Sequence, residues 1–325
     1  MNRIVLICDE NYVMPTEVMV QSICESAKTF GGKFVVSVCS WELSDASIIR
    51  LESHANENVQ VEVVLVDVQK YKDKMHKINQ NSHVTPTALM KFELANLFPN
   101  DDRILYLHGD MVVKGNINEL FDIPLGNSLV AASYEFWKYL LKQYQYTGDD
   151  TVPEFYFNSG VMMLNAVAFR RENISELLWK TKFEQFNVDM KGKFALMDQD
   201  VFNAVCKGRV VELPIRFNCN TRFTYDVKIE DINKVFHTSY KTVREIAEDA
   251  IVLHYVGKED KPWKYADVAC QDVWDNFYRE MGYNPAELNR VKPTRTAKYY
   301  IDRTMDSIRS RGVLKTIRYT FAKLK

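Results

Sequence analysis

Ile4-Val5-Leu6-Ile7-Cys8-Asp9-Glu10-Asn11-Tyr12 is an apolar run that ends abruptly in polar residues. A short, continuous apolar run fits a strand buried on both faces, as in a parallel sheet. Pro15 then opens a helical pattern through Val18, Ile23 and Cys24. Residues 34–39 read as a second strand, 43–54 as a helix with Ser44 and Asp45 near its start, and 59–66 as a third strand. Strands alternating with helices imply parallel βαβ units, a twisted sheet and helices on both faces. Ligands in such sheets bind beyond the carboxyl ends of the strands, at the topological switch point. Residues 9–12 therefore draw attention, as does whatever follows the next central strand.

Further along, 85–97 reads as a helix stopped by Phe98-Pro99-Asn100, and 103–107 as a strand running into His108-Gly109-Asp110. A short amphipathic turn is expected over 116–121 and a strand over 128–132. The aromatic-rich stretch 134–153 has the look of an insertion covering a site. Residues 156–165 return to strand and 167–186 to an amphipathic helix. From about 264 the chain is helical, and then basic.

A length of 325 residues accommodates one large α/β domain with an appendage. With 46% hydrophobic and 26% charged residues, the composition excludes a disordered or fibrous protein. The net charge of −1 conceals an asymmetry: from Arg290 onward there are eleven Lys and Arg against two Asp, so the tail carries +9 and the rest −10. The six cysteines (8, 24, 39, 206, 219, 270) form no CxxC pair and read as reduced core residues. No apolar stretch approaches the roughly 18–20 residues that span a bilayer. Charge interrupts the first apolar run too early for a signal peptide, so a cytoplasmic protein is expected.

No GxGxxG follows the first strand and no GxxxxGK[ST] occurs, which removes the main support for dinucleotide and P-loop chemistry. Five polar clusters stand at strand ends instead. Asp9, Asn11 and Tyr12 suit either contact with a nucleobase or a helix-capping turn. In Leu105-Tyr106-Leu107-His108-Gly109-Asp110-Met111-Val112-Val113, the acid can hold a divalent cation against a diphosphate or serve structure alone. Phe157-Asn158-Ser159-Gly160 leads into another apolar run. Asp198-Gln199-Asp200 reads equally as donor-binding carboxylates and as helix N-caps. The most specific signal is His254-Tyr255-Val256-Gly257-Lys258-Glu259-Asp260-Lys261-Pro262-Trp263. There a strand-end imidazole can ligate a metal, and a lysine following a glycine can meet a phosphate.

In order and kind these clusters resemble the retaining glycosyltransferases of family eight, which include bacterial lipooligosaccharide α-galactosyl- and α-glucosyltransferases and, more distantly, glycogenin. The resemblance spans about residues 3–265. It implies an α/β fold of the GT-A type, a nucleotide-sugar-binding mixed sheet flanked by helices. Residues 1–265 would form the transferase domain and 266–325 a helical extension ending in a basic tail. It implies uridine recognition by Asp9, Asn11 and Tyr12, hence a UDP-sugar donor, with Mn2+ or Mg2+ as cofactor. Lys91 stands where a basic residue contacts the diphosphate and sugar. Asp110 matches the second acid of an Asp-x-Asp metal motif, and His254 the metal-binding histidine. Gly257 and Lys261 match the phosphate-gripping pair, with one extra residue between them. Asn158 and Asp198 match donor-sugar contacts, and Gln199 the residue near the anomeric carbon opposite the leaving group.

The departure is His108, which stands where the family has its first Asp. An imidazole can ligate a metal, but one negative charge is missing, so a hard cation would be held less strongly. An enzyme with altered metal preference, a slow or narrow enzyme, and an impaired nucleotide-sugar-binding protein all follow from this. A sugar-nucleotide pyrophosphorylase would need a Gly-rich basic loop after the first strand, which is absent. Gln199, an amide, is a poor nucleophile, which favours attack by the acceptor on the face the phosphate leaves, with Asp198 and Asp200 holding donor hydroxyls. The tail interleaves apolar and basic positions, which suits a helix lying on an anionic membrane surface or one packed on the domain. Together with the family's lipid-linked saccharide acceptors, this implies a peripheral protein of the inner membrane face. Nothing in the chain supports nucleic-acid binding.

Overall fold

The computed structural model describes residues 1–71, 86–136, 155–188, 198–224 and 227–293. Most of the 134–153 insertion and the whole of the tail from 294 lie outside the described residues. β1 (Asn2–Ile7), β2 (Phe34–Ser40) and β3 (Val59–Leu65) run parallel, aligning Leu6 with Val38 and Val38 with Val63. The helices Val13–Phe30 and Asp45–Glu52 make the crossovers. The second helix starts where Ser44 Oγ accepts from Ser47 N at 3.2 Å, an N-cap that satisfies an otherwise unpaired amide.

β4 (Arg103–Leu107) returns to the other edge of β1, opposing Leu107 to Leu6. The sheet thus reverses its direction of growth between β1 and β4, which is the expected switch point. With β6 (Val130–Ala132), β7 (Val161–Asn165) and β8 (Val210–Glu212) it has seven strands in the order β3-β2-β1-β4-β7-β6-β8. β7 is antiparallel to both neighbours, so the sheet is mixed rather than built wholly of parallel units. A second sheet contains β5 (Met111–Val113), β10 (Val252–His254) and β9 (Cys219–Asn220), in that order.

Strand alternation divides the core. Ile4, Leu6, Val36, Val38, Leu105 and Leu107 pack with Met19, Val20 and Ile23 of the first helix. Their neighbours Val5, Ile104 and Tyr106 face the other way, onto Phe92, Phe169, Trp179 and Phe202. A third cluster joins Val112 and Leu253 of the small sheet to Trp263 and to Trp274 of the helix Gln271–Glu280. Each such side chain contributes about 1.5–3 kcal/mol of burial. All six cysteines are free, and five are buried, as core residues should be.

Two helical expectations are corrected. Within 85–97, Pro86–Glu93 is a 3₁₀ helix and only Leu94–Leu97 is α-helical. The single helix expected over 167–186 is two, Ala166–Arg171 and Ile174–Val188, divided at Asn173, whose φ is 53°. Asparagine tolerates this left-handed turn, in which a helix cannot continue.

Candidate functional site

β4 ends at Leu107, and the triplet 108–110 carries the chain into β5 of the other sheet. His108 N donates to Gly160 O at 2.9 Å, which ties the triplet to the residue preceding β7. The β10–β5 register sets His254 opposite Met111, and Tyr255 N donates to Asp110 O at 3.0 Å. Backbone pairing thereby gathers His108, Asp110 and His254 from distant parts of the sequence. A β-carbon on Gly160 would come within 2.6 Å of His254 Cε1 and 2.8 Å of Asn158 Oδ1, so this close approach requires glycine.

One ligand atom from each of the three residues lies within 4.8 Å of the others. Asp110 Oδ1 is 3.3 Å from His254 Nε2 and 3.7 Å from His108 Nδ1. It is buried and makes no hydrogen bond. A buried, unbonded carboxylate oxygen facing two imidazole nitrogens fits a divalent transition metal. Burial first, and then the neighbouring Lys91, push the His108 pKa down to about 3, so its ring is neutral and able to act as a ligand near pH 7. Burial alone would raise Asp110, but Lys261, then His254 and His108, hold its carboxyl well below the usual range.

Lys261 Nζ binds Asp110 Oδ2, and donates to Tyr255 O at 2.6 Å. Gly257 has φ 109°, in the region that favours glycine. Tyr12 meets Trp263 edge-on with ring centroids 5.7 Å apart, which brings the first cluster against the fifth. Asp9 Oδ1 accepts from Asn11 N at 3.0 Å, so these two residues form a capping turn beside the site.

Lys91 is 2% exposed. Its ammonium pairs with Asp198 and lies 3.4 Å from Ser159 Oγ and 3.5 Å from His108 Nε2. Burial raises the Asp198 pKa, but Lys91 outweighs it and keeps the carboxyl below its ordinary value. Gln199 Oε1 accepts from Ser159 N at 3.0 Å, and Gln199 Nε2 donates to Glu135 at 3.2 Å. Asn158 also donates to Glu135, at 2.6 Å. Asp200 accepts from Tyr156 Oη at 2.5 Å. Lys91, Asp198, Gln199 and Asn158 thus form one hydrogen-bonded group, continuous with the His-Asp-His group through His108.

Sequence reading does not find Glu135 or Asn218. Glu135 falls in the stretch read as an insertion, and Asn218 precedes a strand of only two residues, too short to show any periodicity. Asn218 Oδ1 lies 2.9 Å from His254 Nδ1, so both touch residues that the motifs do identify.

A lipopolysaccharide 1,2-glucosyltransferase of Escherichia coli is 25% identical over 277 residues, covering 83% of this chain and 76% of that protein. General stress protein A of Bacillus subtilis is 28% identical over 228 residues, 69% of this chain and 73% of that one. A lipopolysaccharide 1,3-galactosyltransferase of Salmonella typhimurium is 26% identical over 211 residues, 63% of this chain and 56% of its own length. The structure of the galactosyltransferase LgtC with donor and acceptor sugar analogues superposes with a TM-score of 0.64 at 21% identity, over 90% of this chain and 98% of that one. The bifunctional glycosyltransferase WbbM gives 0.63 at 22% identity, over 88% of this chain and 50% of that one. These superpositions show a shared GT-A fold. The profile described as Glycosyl transferase family 8 matches residues 3–267, and the chain belongs to that family.

Proposed function

We propose that this chain transfers a hexose, with retention, from a UDP-sugar to a saccharide acceptor, lipid-linked, in cell-surface polysaccharide or lipopolysaccharide synthesis. The observation that carries the reading is the convergence of His108, Asp110 and His254 beside Lys261, at the switch point of a family 8 fold. The named activities of the E. coli and S. typhimurium relatives support the saccharide class. Residues 1–265 are the proposed transferase unit. Tyr12, with Asp9 and Asn11, would receive the base. Gly257 and Lys261 would receive the diphosphate.

His108, Asp110 and His254 would hold a divalent cation, Mn2+ or Mg2+, which supplies charge to offset the departing diphosphate. Lys261 adds a fixed positive charge on the same side. Lys91, Asp198 and Asn158 would orient the donor sugar. Gln199 presents an amide rather than a carboxylate beneath the reacting carbon, which supports direct same-face attack by the acceptor hydroxyl, its proton passing to a phosphate oxygen. Among the described residues no helix is long and apolar enough to cross a membrane. The composition of 294–325 supports peripheral contact with anionic lipid through the tail.

Purified protein with Mn2+ and a panel of UDP- and GDP-sugars should slowly release UDP from one donor. With an acceptor, NMR of the product should show a retained anomeric configuration. An inverted linkage removes the same-face route, and nucleotide-sugar binding without turnover leaves an impaired binding protein. A chain ending at Pro293 that still sediments with anionic vesicles removes the tail's role.

The His108→Asp variant should bind Mg2+ and Mn2+ about tenfold more tightly, with its preference for Co2+ over Mg2+ reduced, because an oxygen anion replaces a nitrogen donor. Unchanged affinities by titration calorimetry would put residue 108 outside the ligand set.

A further inference from the structure

Glu135, 7% exposed, lies at the end of a hydrogen-bonded path that begins at His254. Its Oε2 accepts from Asn158 Nδ2 at 2.6 Å and from Gln199 Nε2 at 3.2 Å. An ionised carboxylate only accepts, so both amides turn their nitrogens toward it and their oxygens away. Asn158 Oδ1 is then free to accept from Gly160 N and from Asn218 Nδ2, each at 2.9 Å. That second donation orients Asn218, whose Oδ1 is left facing His254 Nδ1 at 2.9 Å. Asn218 is 6% exposed and His254 3%, so bulk water scarcely reaches the contact between them. An acceptor opposite Nδ1 calls for a proton on that nitrogen, and so reserves Nε2 as the nitrogen that can take a cation. His254 Nε2 in turn lies 3.3 Å from Asp110 Oδ1, the carboxylate oxygen of the cluster.

We infer that Glu135 and Asn218 are positioning residues: a one-way chain of donors from His254 through Asn218 and Asn158 to Glu135 holds His254 in its Nδ1–H tautomer and aims Nε2 into the cluster. The free histidine side chain prefers the opposite tautomer, so the protein must impose this one. The same carboxylate fixes Gln199, and the ligand histidine and the amide beneath the reacting carbon therefore share one anchor. A partner on the far nitrogen of a ligating histidine raises its basicity as well as fixing its orientation. The inference rests on the cation-binding reading for its consequence, but the tautomer is a property of the cation-free protein.

The experiment is a long-range 1H–15N correlation on the full chain, labelled with 15N-histidine and stripped of metal at pH 7.5. The result expected is a His254 ring with a proton on Nδ1. A ring with no proton on Nδ1 overturns the inference, and this wild-type spectrum decides the matter even if no variant folds. Asn218→Leu should move the proton to Nε2 and weaken Mn2+ binding by at least about tenfold. A folded N218L with both tautomer and Mn2+ affinity unchanged also overturns the inference. Wild type with the expected tautomer but no Mn2+ binding removes the cation reading and leaves the relay standing.

Discussion

Asp110→Asn should lower turnover by about a hundredfold to a thousandfold, the cost of loosening the cation proposed to offset the charge of the departing diphosphate. The amide retains the shape but removes the only carboxylate of the cluster and the partner of Lys261. Both side chains of that pair are 13% exposed, so the lysine is left largely buried without its counter-charge, at a cost of about 3 kcal/mol in stability. The pH dependence has a definite sign. Asp110 is held below its unfolded pKa. Its contribution is therefore present above about pH 4 and is lost as pH falls from there toward the folded value. Urea midpoints of D110N should accordingly fall less between pH 4 and 3 than those of wild type. Equal acid sensitivity in the two proteins would mean that Asp110 is not stabilised by its neighbours.

Lys91→Met should have the largest effect on stability. The side chain is 1% exposed and its partner Asp198 14%, so removing the ammonium leaves a largely buried carboxylate without its counter-charge, held by a 3.4 Å hydrogen bond from Ser159 Oγ. Breaking such a pair costs about 3–5 kcal/mol, seen as a lower urea midpoint with an unchanged slope. The double variant K91M/D198N should recover at least half of that loss, because no charge is then left alone. If the double variant is as unstable as K91M, the packing of the lysine stem rather than its charge is what matters. Activity should not return with stability, since both residues border the proposed donor site.

Much of this was legible in the sequence, for identifiable reasons. The strands β1 and β4 are built on apolar runs, β3 alternates Val59, Val61 and Val63 with polar residues, and 103–107 coincides with β4 from end to end. The structure sets β1 beside β4, and residues 9–12 and 108–110, singled out in the sequence, follow these two strands. What could not be read is of two kinds. Over 86–93 a 3₁₀ helix presents nearly the same apolar spacing as an α-helix for its few turns, and across Asn173 two helices keep one face buried, so the break leaves no trace in the pattern. Glu135 and Asn218 owe their importance to partners at Gln199 and His254, reached across 64 and 36 residues. No local spacing encodes such a meeting.

The triplet between β4 and β5 is a corner where one sheet hands the chain to another. Its backbone is clamped on both sides, at Gly160 and at Tyr255. A clamped corner dictates how many residues it contains far more strictly than which side chains they bear. An insertion there would shear the two layers even with every ligand retained, whereas aspartate and imidazole can be exchanged at its first position without moving the third. On the proposed cation reading, the architecture would make the ionic preference of the cluster an interchangeable part, with His108 an instance of the exchange.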